Sequence, residues 1–314
     1  MASPSYTFTG GVTPANYTPN SISELSGMLG KVAEQIIREV VAEDKLSVFD
    51  KMPVDNGDTI EQTIINLASA RAYDSTGANA LSRKTPSLAV RYFNDWTRAV
   101  FDTTVDMSLI RKVLLNGKGA SEISTKLVSV LGESDKYEKY TQMKNLLKWG
   151  RQDQSGQVLK LADTVAYGTT SIDYKGVLKS LKNVVAGMQY VNTSFNTGSV
   201  NRKTDARDIF ILMPYKLKNE LDVEELAGVF NLDKAELKSR IIEIDTDVET
   251  ISSKDTYAIY VVDRNAILSY TRLYQMADQK NADGLFWNYF LHTERLYGIS
   301  PLFDACYILV KAEA

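Results

Sequence analysis

The sequence predicts an α+β protein, and three features of its 314 residues carry that prediction. Helix-period and strand-period segments alternate from residue 160 to the end, which calls for a mixed sheet-and-helix body. Two β-rich stretches bracket a polar tip within residues 48–107. A long amphipathic segment fills residues 119–152.

Residues 1–20 are rich in Ser, Thr, Pro, Gly and Asn and lack periodicity, so they read as an arm rather than a packed element. Residues 21–47 read as a helix. Ser21 and Glu24 form a capping-box pattern, and Ile22, Leu25, Leu29, Val32, Ile36 and Val40 repeat at three- and four-residue steps. That stripe suits either a core or a partner surface. Next, Thr59–Leu67 alternates as a strand, and Leu88–Phe101 alternates again, continuing through Val105. Between them lies a polar tip broken by Gly77 and Pro86. A two-stranded excursion is marginal in water and needs something to lie on, either its own domain or a neighbour. Residues 106–116 predict a short helix. Residues 119–152 predict a long helix, or a pair broken at Gly132; unbroken, about 32 residues span roughly 48 Å. Residues 172–190 form another amphipathic helix, followed by a polar loop over 191–207. Ile209–Met213 is a strand ended by Pro214. Helices are predicted over 215–230 and 233–240, and strands at Arg240–Ile244, Tyr257–Val262 and Cys306–Val310.

Composition excludes several kinds of chemistry. The single Cys306 permits no internal disulfide, and with the single His292 it cannot build a Cys/His zinc site. No P-loop, dinucleotide-binding glycine motif, GxSxG elbow or HExxH pattern is present. His292, beside Glu294 and Arg295, reads as a structural residue, and Cys306 as a buried inert thiol. The acids Glu243, Asp245, Asp247 and Glu249 follow a strand and suit a solvated edge better than a cation site. No cofactor is therefore expected and no enzyme activity. No apolar run is long enough for a membrane-spanning helix, and the N-terminus has neither a basic nor an apolar signal-peptide region. A net charge of −3 argues against a dedicated DNA-gripping protein. The 17 tyrosines hint at interfaces, because each pairs an apolar ring with a hydroxyl that can stay wet. Near the polar tip, Arg71, Arg83, Lys84, Arg91 and Arg98 mix with Asp74, Asp95 and Asp102, a pattern that suits register-setting contacts between proteins as well as a solvated loop.

The order of parts resembles the HK97-like fold of tailed-bacteriophage major capsid proteins. Two stretches carry the resemblance further. Residues 205–218, DARDIFILMPYKLK, resemble that family's strand-to-helix entry, and residues 281–310, NADGLFWNYFLHTERLYGISPLFDACYILV, resemble its closing strands. The resemblance implies an α+β subunit with an N-terminal arm and helix (1–48), an E-loop hairpin (49–105), a P-domain with a long spine helix (106–160), a mixed α/β A-domain (161–275) and returning P-domain strands (276–314). It implies a homo-oligomer of hexamers and pentamers forming an icosahedral or prolate head around packaged double-stranded DNA contacted non-specifically. The protein would then be a virion protein assembled in the bacterial host cytoplasm, away from membranes. A scaffolding protein, a portal and decoration proteins are the implied partners; with no long segment before the arm, the scaffold would be a separate chain or none would be used. Arm and E-loop would lie across adjacent subunits, with Tyr6, Phe8, Tyr17, Arg71, Tyr73, Arg83, Lys84, Arg91 and Arg98 as contact residues. Lys84 is also the one lysine placed for the covalent crosslink that some members form. Two alternatives remain open on the sequence: an encapsulin-type nanocompartment shell, and a soluble enzyme with a carboxylate-based site near residues 205–260.

Overall fold

The computed structural model describes residues 41–54, 57–73, 75–76, 82–106, 117–152, 158–166, 173–220, 240–245, 248–251 and 254–311. The predicted arm, the helix up to residue 40, the short helix at 107–116 and the helical stretch 221–239 lie outside these residues. The chain divides into two compact units. One comprises 1–42, 100–135 and 275–292, and the other 43–99, 136–274 and 293–314.

The second unit is built on a sheet with strand order β4-β11-β8-β5-β6, its strands being β4 (Lys160–Ala166), β5 (Ile209–Pro214), β6 (Ile241–Ile244), β8 (Lys254–Asp263) and β11 (Ala305–Lys311). A short strand, β7 (Val248–Ile251), pairs with the start of β8. β11 runs antiparallel to β8 and parallel to β4. The inner strands are apolar on both faces because both faces are covered. On one side, Ile209, Ile211, Met213, Ile259, Val261, Cys306, Ile308 and Val310 meet the apolar stripe of a helix at Tyr174–Met188. That stripe is Val177, Leu178, Leu181, Val184, Val185 and Met188, at three- and four-residue steps. The helix starts where the sequence allows it: Asp173 caps it by accepting from the Gly176 amide at 3.0 Å. On the other side, Phe210, Leu212, Tyr260, Val262 and Tyr307 pack with Leu46, Phe49, Met143, Leu147 and Leu159. Phe49 meets Phe210 edge-on at 5.5 Å.

Met143 and Leu147 belong to α1 (Gly117–Gln152), a helix of 36 residues, or about 54 Å. It passes Gly132 unbroken, which settles the choice between one helix and two. A single interior glycine costs only about 1 kcal/mol, and its neighbour Leu131 is buried at 3% exposure. The Tyr174–Met188 helix is α2, and a short α3 (Tyr215–Glu220) follows β5.

Two predictions need correction. Within the described residues the first helix does not reach 47: residues 41–44 carry no regular structure, and a 3-10 turn forms at Ser47–Phe49. Asp44 accepts from the Leu46 amide at 3.0 Å, a side-chain turn that competes with helix. The predicted strand 88–105 is two strands, β2 (Leu88–Phe93) and β3 (Trp96–Val105), in different sheets. Asn94 and Asp95, both poor strand residues, break it, and the Trp96 amide closes back on the Asn94 carbonyl at 3.2 Å.

β3 joins β9 (Ile267–Lys280) and β10 (Trp287–Ile299) in a three-stranded sheet of order β3-β10-β9. In the first unit, Asn281 organises the turn after β9 by accepting from the amides of Asp283 and Gly284. Thr104 donates to Asn288 at 2.7 Å, and the Ala42 amide donates to Glu133 at 2.6 Å.

Candidate functional site: the β1–β2 hairpin and its root

Among the described residues, β1 (Ile60–Ile65) and β2 (Leu88–Phe93) pair only with each other. Their antiparallel register sets Ile60 opposite Phe93 and Ile65 opposite Leu88. The ladder extends one step further, with the Asn66 amide donating to the Ser87 carbonyl at 2.9 Å. Entry into β1 is through Gly57, whose φ of +94° lies in the region that favours glycine.

Period-2 alternation gives the hairpin two different faces. Ile60, Gln62, Ile64, Ala89 and Phe93 are half-buried on one. Phe93 lies over Gly298, where an added Cβ would stand 3.4 Å from the ring. The other face holds Ile65, Leu88, Val90 and Tyr92, exposed at 68, 56, 40 and 62%. Leu67, just beyond β1, adds to it at 66%. Among the described residues, four aliphatic side chains and a tyrosine thus share an uncovered surface, which is unusual for a soluble monomer. Along the outer edge of β2 runs a groove of about 790 Å³, lined by Val90, Tyr92, Phe93, Trp149 and Tyr297 among others.

The root of the hairpin is held by charge. Glu294, on β10, is 4% exposed and accepts from two arginines. Arg272 on β9 donates through Nε at 2.9 Å and Nη2 at 2.6 Å, the two-pronged geometry that makes arginine–carboxylate pairs specific. Arg98 on β3 donates through Nε at 2.8 Å. Arg272 also pairs with Asp58, which precedes β1, and stacks over the Trp96 ring at 4.7 Å. Trp96 donates to the Asp58 carbonyl at 2.7 Å. Both ends of the excursion, Asp58 on entry and Trp96 and Arg98 on exit, therefore meet at Arg272 and Glu294. Arg272 first, and then Arg98, hold the Glu294 carboxyl down to about 2; Glu294 in turn pushes Arg272 further up.

The expected contact residues fall in several places. Tyr6, Phe8 and Tyr17 lie outside the described residues. Tyr73 is 93% exposed, and Arg71, Arg83, Lys84 and Arg91 are exposed along the hairpin and its tip. Arg98 makes its ion pair inside its own chain. Asp58, Trp96, Arg272 and Glu294 were not among the residues singled out, because they come from four separate stretches and nothing local marks them as a cluster.

Of the acids Glu243, Asp245, Asp247 and Glu249, the first two are engaged with cations; Asp247 lies outside the described residues. Glu243 pairs with Lys218 and Lys45, and the Lys218 bond holds its carboxyl below the usual range. Asp245 accepts from Tyr140 at 2.6 Å and Lys144 at 2.7 Å; burial pushes it up, but those bonds outweigh burial and leave it low. Burial and Asp245 push Tyr140 up to about 12. Among the described residues no group of three His, Cys, Asp or Glu is placed to hold a metal. Cys306 is fully buried, its Sγ 3.6 Å from the Val261 carbonyl, and burial pushes its thiol up. His292 sits on β10 with the Phe290 ring at 6.4 Å. No described helix is long and apolar enough to cross a membrane.

Comparison with known proteins defines the class first. The chain is similar to a chain in the capsid structure of Staphylococcus phage Andhra, with 13% identity, a TM-score of 0.71, and coverage of 90% of this chain and 88% of that one. It is also similar to a chain in the capsid structure of the cyanophage P-SCSP1u, at 10% identity, a TM-score of 0.60, and coverage of 97% and 100%. The fold is thus a phage-capsid fold, as the resemblance implied. The model of the Phi29-like phage major capsid protein family matches residues 11–309, and the chain belongs to that family. Among curated relatives, the major capsid protein of Bacillus phage GA-1 is 23% identical over 282 residues, covering 88% of this chain and 58% of that protein. The chain spans about 60% of the length of the Bacillus phage relatives it matches.

Proposed function

We propose that this protein is the shell-forming subunit of a tailed-phage head, assembling as hexamers and pentamers of itself around packaged double-stranded DNA, and that it has no enzymatic role. The observation that carries this reading is the β1–β2 hairpin. It is a two-stranded excursion with one apolar face uncovered among the described residues, and it is fixed at its root by the Arg272–Glu294–Arg98 cluster. A hairpin that is rigid at the base and apolar along the shaft is suited to lie on another subunit. Exposed tyrosines elsewhere, Tyr137, Tyr190 and Tyr274, fit a surface with several contacts.

The division into arm, E-loop, spine helix, A-domain and returning strands, with boundaries at 48, 105, 160 and 275, is part of the same reading. So are Tyr6, Phe8, Tyr17, Arg71, Tyr73, Arg83, Lys84, Arg91 and Arg98 as contacts between subunits. A ring of identical subunits uses heterologous contacts, so the hairpin and its docking site are different patches on each copy. A scaffolding protein, a portal and decoration proteins are the partners such a head would use, and assembly would take place in the bacterial host cytoplasm.

Electron microscopy of the purified protein, alone and with co-expressed head proteins, tests the reading. Closed shells or capsomer rings are expected. A monodisperse monomer under every condition would sink it.

A further inference from the structure

Helix α2 buries one face against the sheet and leaves the other to solvent. The exposed stripe holds Lys175, Lys179 and Lys182, with Asn183 beside them. Spacings of four and three residues put the three ammonium groups on one face, over about 10 Å of helix. The 15 residues of α2 contain no Asp or Glu. No carboxylate among the described residues pairs with any of the three lysines.

Elsewhere in the same unit several lysines meet carboxylates, while Lys51 and Lys160 bond carbonyl oxygens. There, Lys139 sits between Asp44 and Asp50, Lys144 on Asp245, and Lys45 and Lys218 on Glu243. Like charges at helical-neighbour spacing repel, so the helix keeps these three together against its own stability. The net charge of the chain is −3, so the stripe is a local reversal of sign. The lysines flank a shallow trough of about 360 Å³ that also touches Leu178.

We infer that the α2 stripe is a contact surface for the phosphodiester backbone of duplex DNA. The inference rests on the shell reading, within which it places the exposed side of α2 toward the lumen. The residue types fit that ligand. Lysines are flexible point charges without the planar fork of arginine, and the stripe carries no aromatic or amide array for reading bases. Such a surface touches every sequence equally and releases readily as salt rises.

Two measurements test it. Small-molecule acylation of lysines, read by mass spectrometry, is compared between DNA-filled particles and particles emptied of DNA. Lys175, Lys179 and Lys182 are expected to be protected in the filled state and reactive in the emptied one. Equal reactivity in both overturns the inference. Protection in both also overturns it, because it assigns the stripe to an acidic face of a second copy. The second measurement is binding of a duplex DNA fragment to the unassembled full-length chain, against salt. The triple variant K175Q/K179Q/K182Q should lose about 2.7 from the log–log salt slope, equivalent to roughly 40-fold less change in affinity between 50 and 200 mM. An unchanged slope overturns the inference. If no particles form, the shell reading fails by itself, and the slope alone decides the stripe.

Discussion

Ile65 and Leu88 face each other across the hairpin on its uncovered side, exposed at 68 and 56%. Replacing both with serine removes apolar surface equal to about one and a quarter fully covered side chains. At ~1.5–3 kcal/mol for each such side chain, covering that surface contributes roughly 2–4 kcal/mol to each hairpin contact. A tenfold change in equilibrium corresponds to about 1.4 kcal/mol, so the contact should weaken by roughly 30- to 700-fold. The isolated subunit should barely notice, because surface substitutions of this kind stay within about 0.5 kcal/mol. Sedimentation and light scattering against protein concentration give the assembly threshold of I65S/L88S and of the parent, and thermal unfolding of the unassembled chain gives the control. A raised threshold with an unchanged melting temperature is the expected pair of results. An unchanged threshold would show that this face is not an interface. A melting temperature lowered by many degrees would show that the face is already covered within its own subunit.

Three further outcomes are expected. Glu294→Gln should loosen the hairpin root, seen as faster amide exchange in β1 and β2 with slower change in the central sheet. The Glu294 carboxyl is held low in the folded chain, so its contribution is complete above its ordinary pKa of 4.5 and is lost as pH falls toward about 2; stability of the parent against pH should show that acid limb and the variant should not. Leu181→Ala empties a fully buried position under α2 and should cost about 2–5 kcal/mol in chemical denaturation. Cys306 should resist thiol reagents in the native chain and react at the rate of unfolding, measured by mass increase over time.

Much of the fold was legible because alternation and helical spacing follow burial. The stripe Val177–Met188 and the runs Ile209–Met213 and Tyr257–Val262 each bury what their period announces. The misses have the same physical origin. β9 was overlooked because residues 274–280 are exposed on both faces, leaving no apolar alternation to read. β4 (KLADTVA) carries Asp163 and Thr164 at the sheet edge, where polar residues are tolerated, and pairs with a strand more than a hundred residues away. The two strands of the hairpin followed from alternation, which left open whether its own domain or a neighbour covers them. The hairpin's ionic root did not follow. Glu294 had been weighed only as a neighbour of His292, and the guanidiniums that engage it arrive through β3 and β9, whose pairing with β10 is set by tertiary structure.

The place of β11 in the central sheet also governs timing. Among the described residues β4 reaches the rest of the sheet only through β11, and β8 is flanked by β11 along most of its length. Among the described strands of this sheet, β11 is translated after all the others. At ~5–20 residues per second, β8 emerges about 2–10 s before the strand that must lie beside it. During that interval the Tyr257–Val262 edge of β8 lacks its β11 partner. A chain stopped short of residue 305 would never acquire it. Completion of this sheet is thereby tied to synthesis of a strand more than forty residues beyond β8.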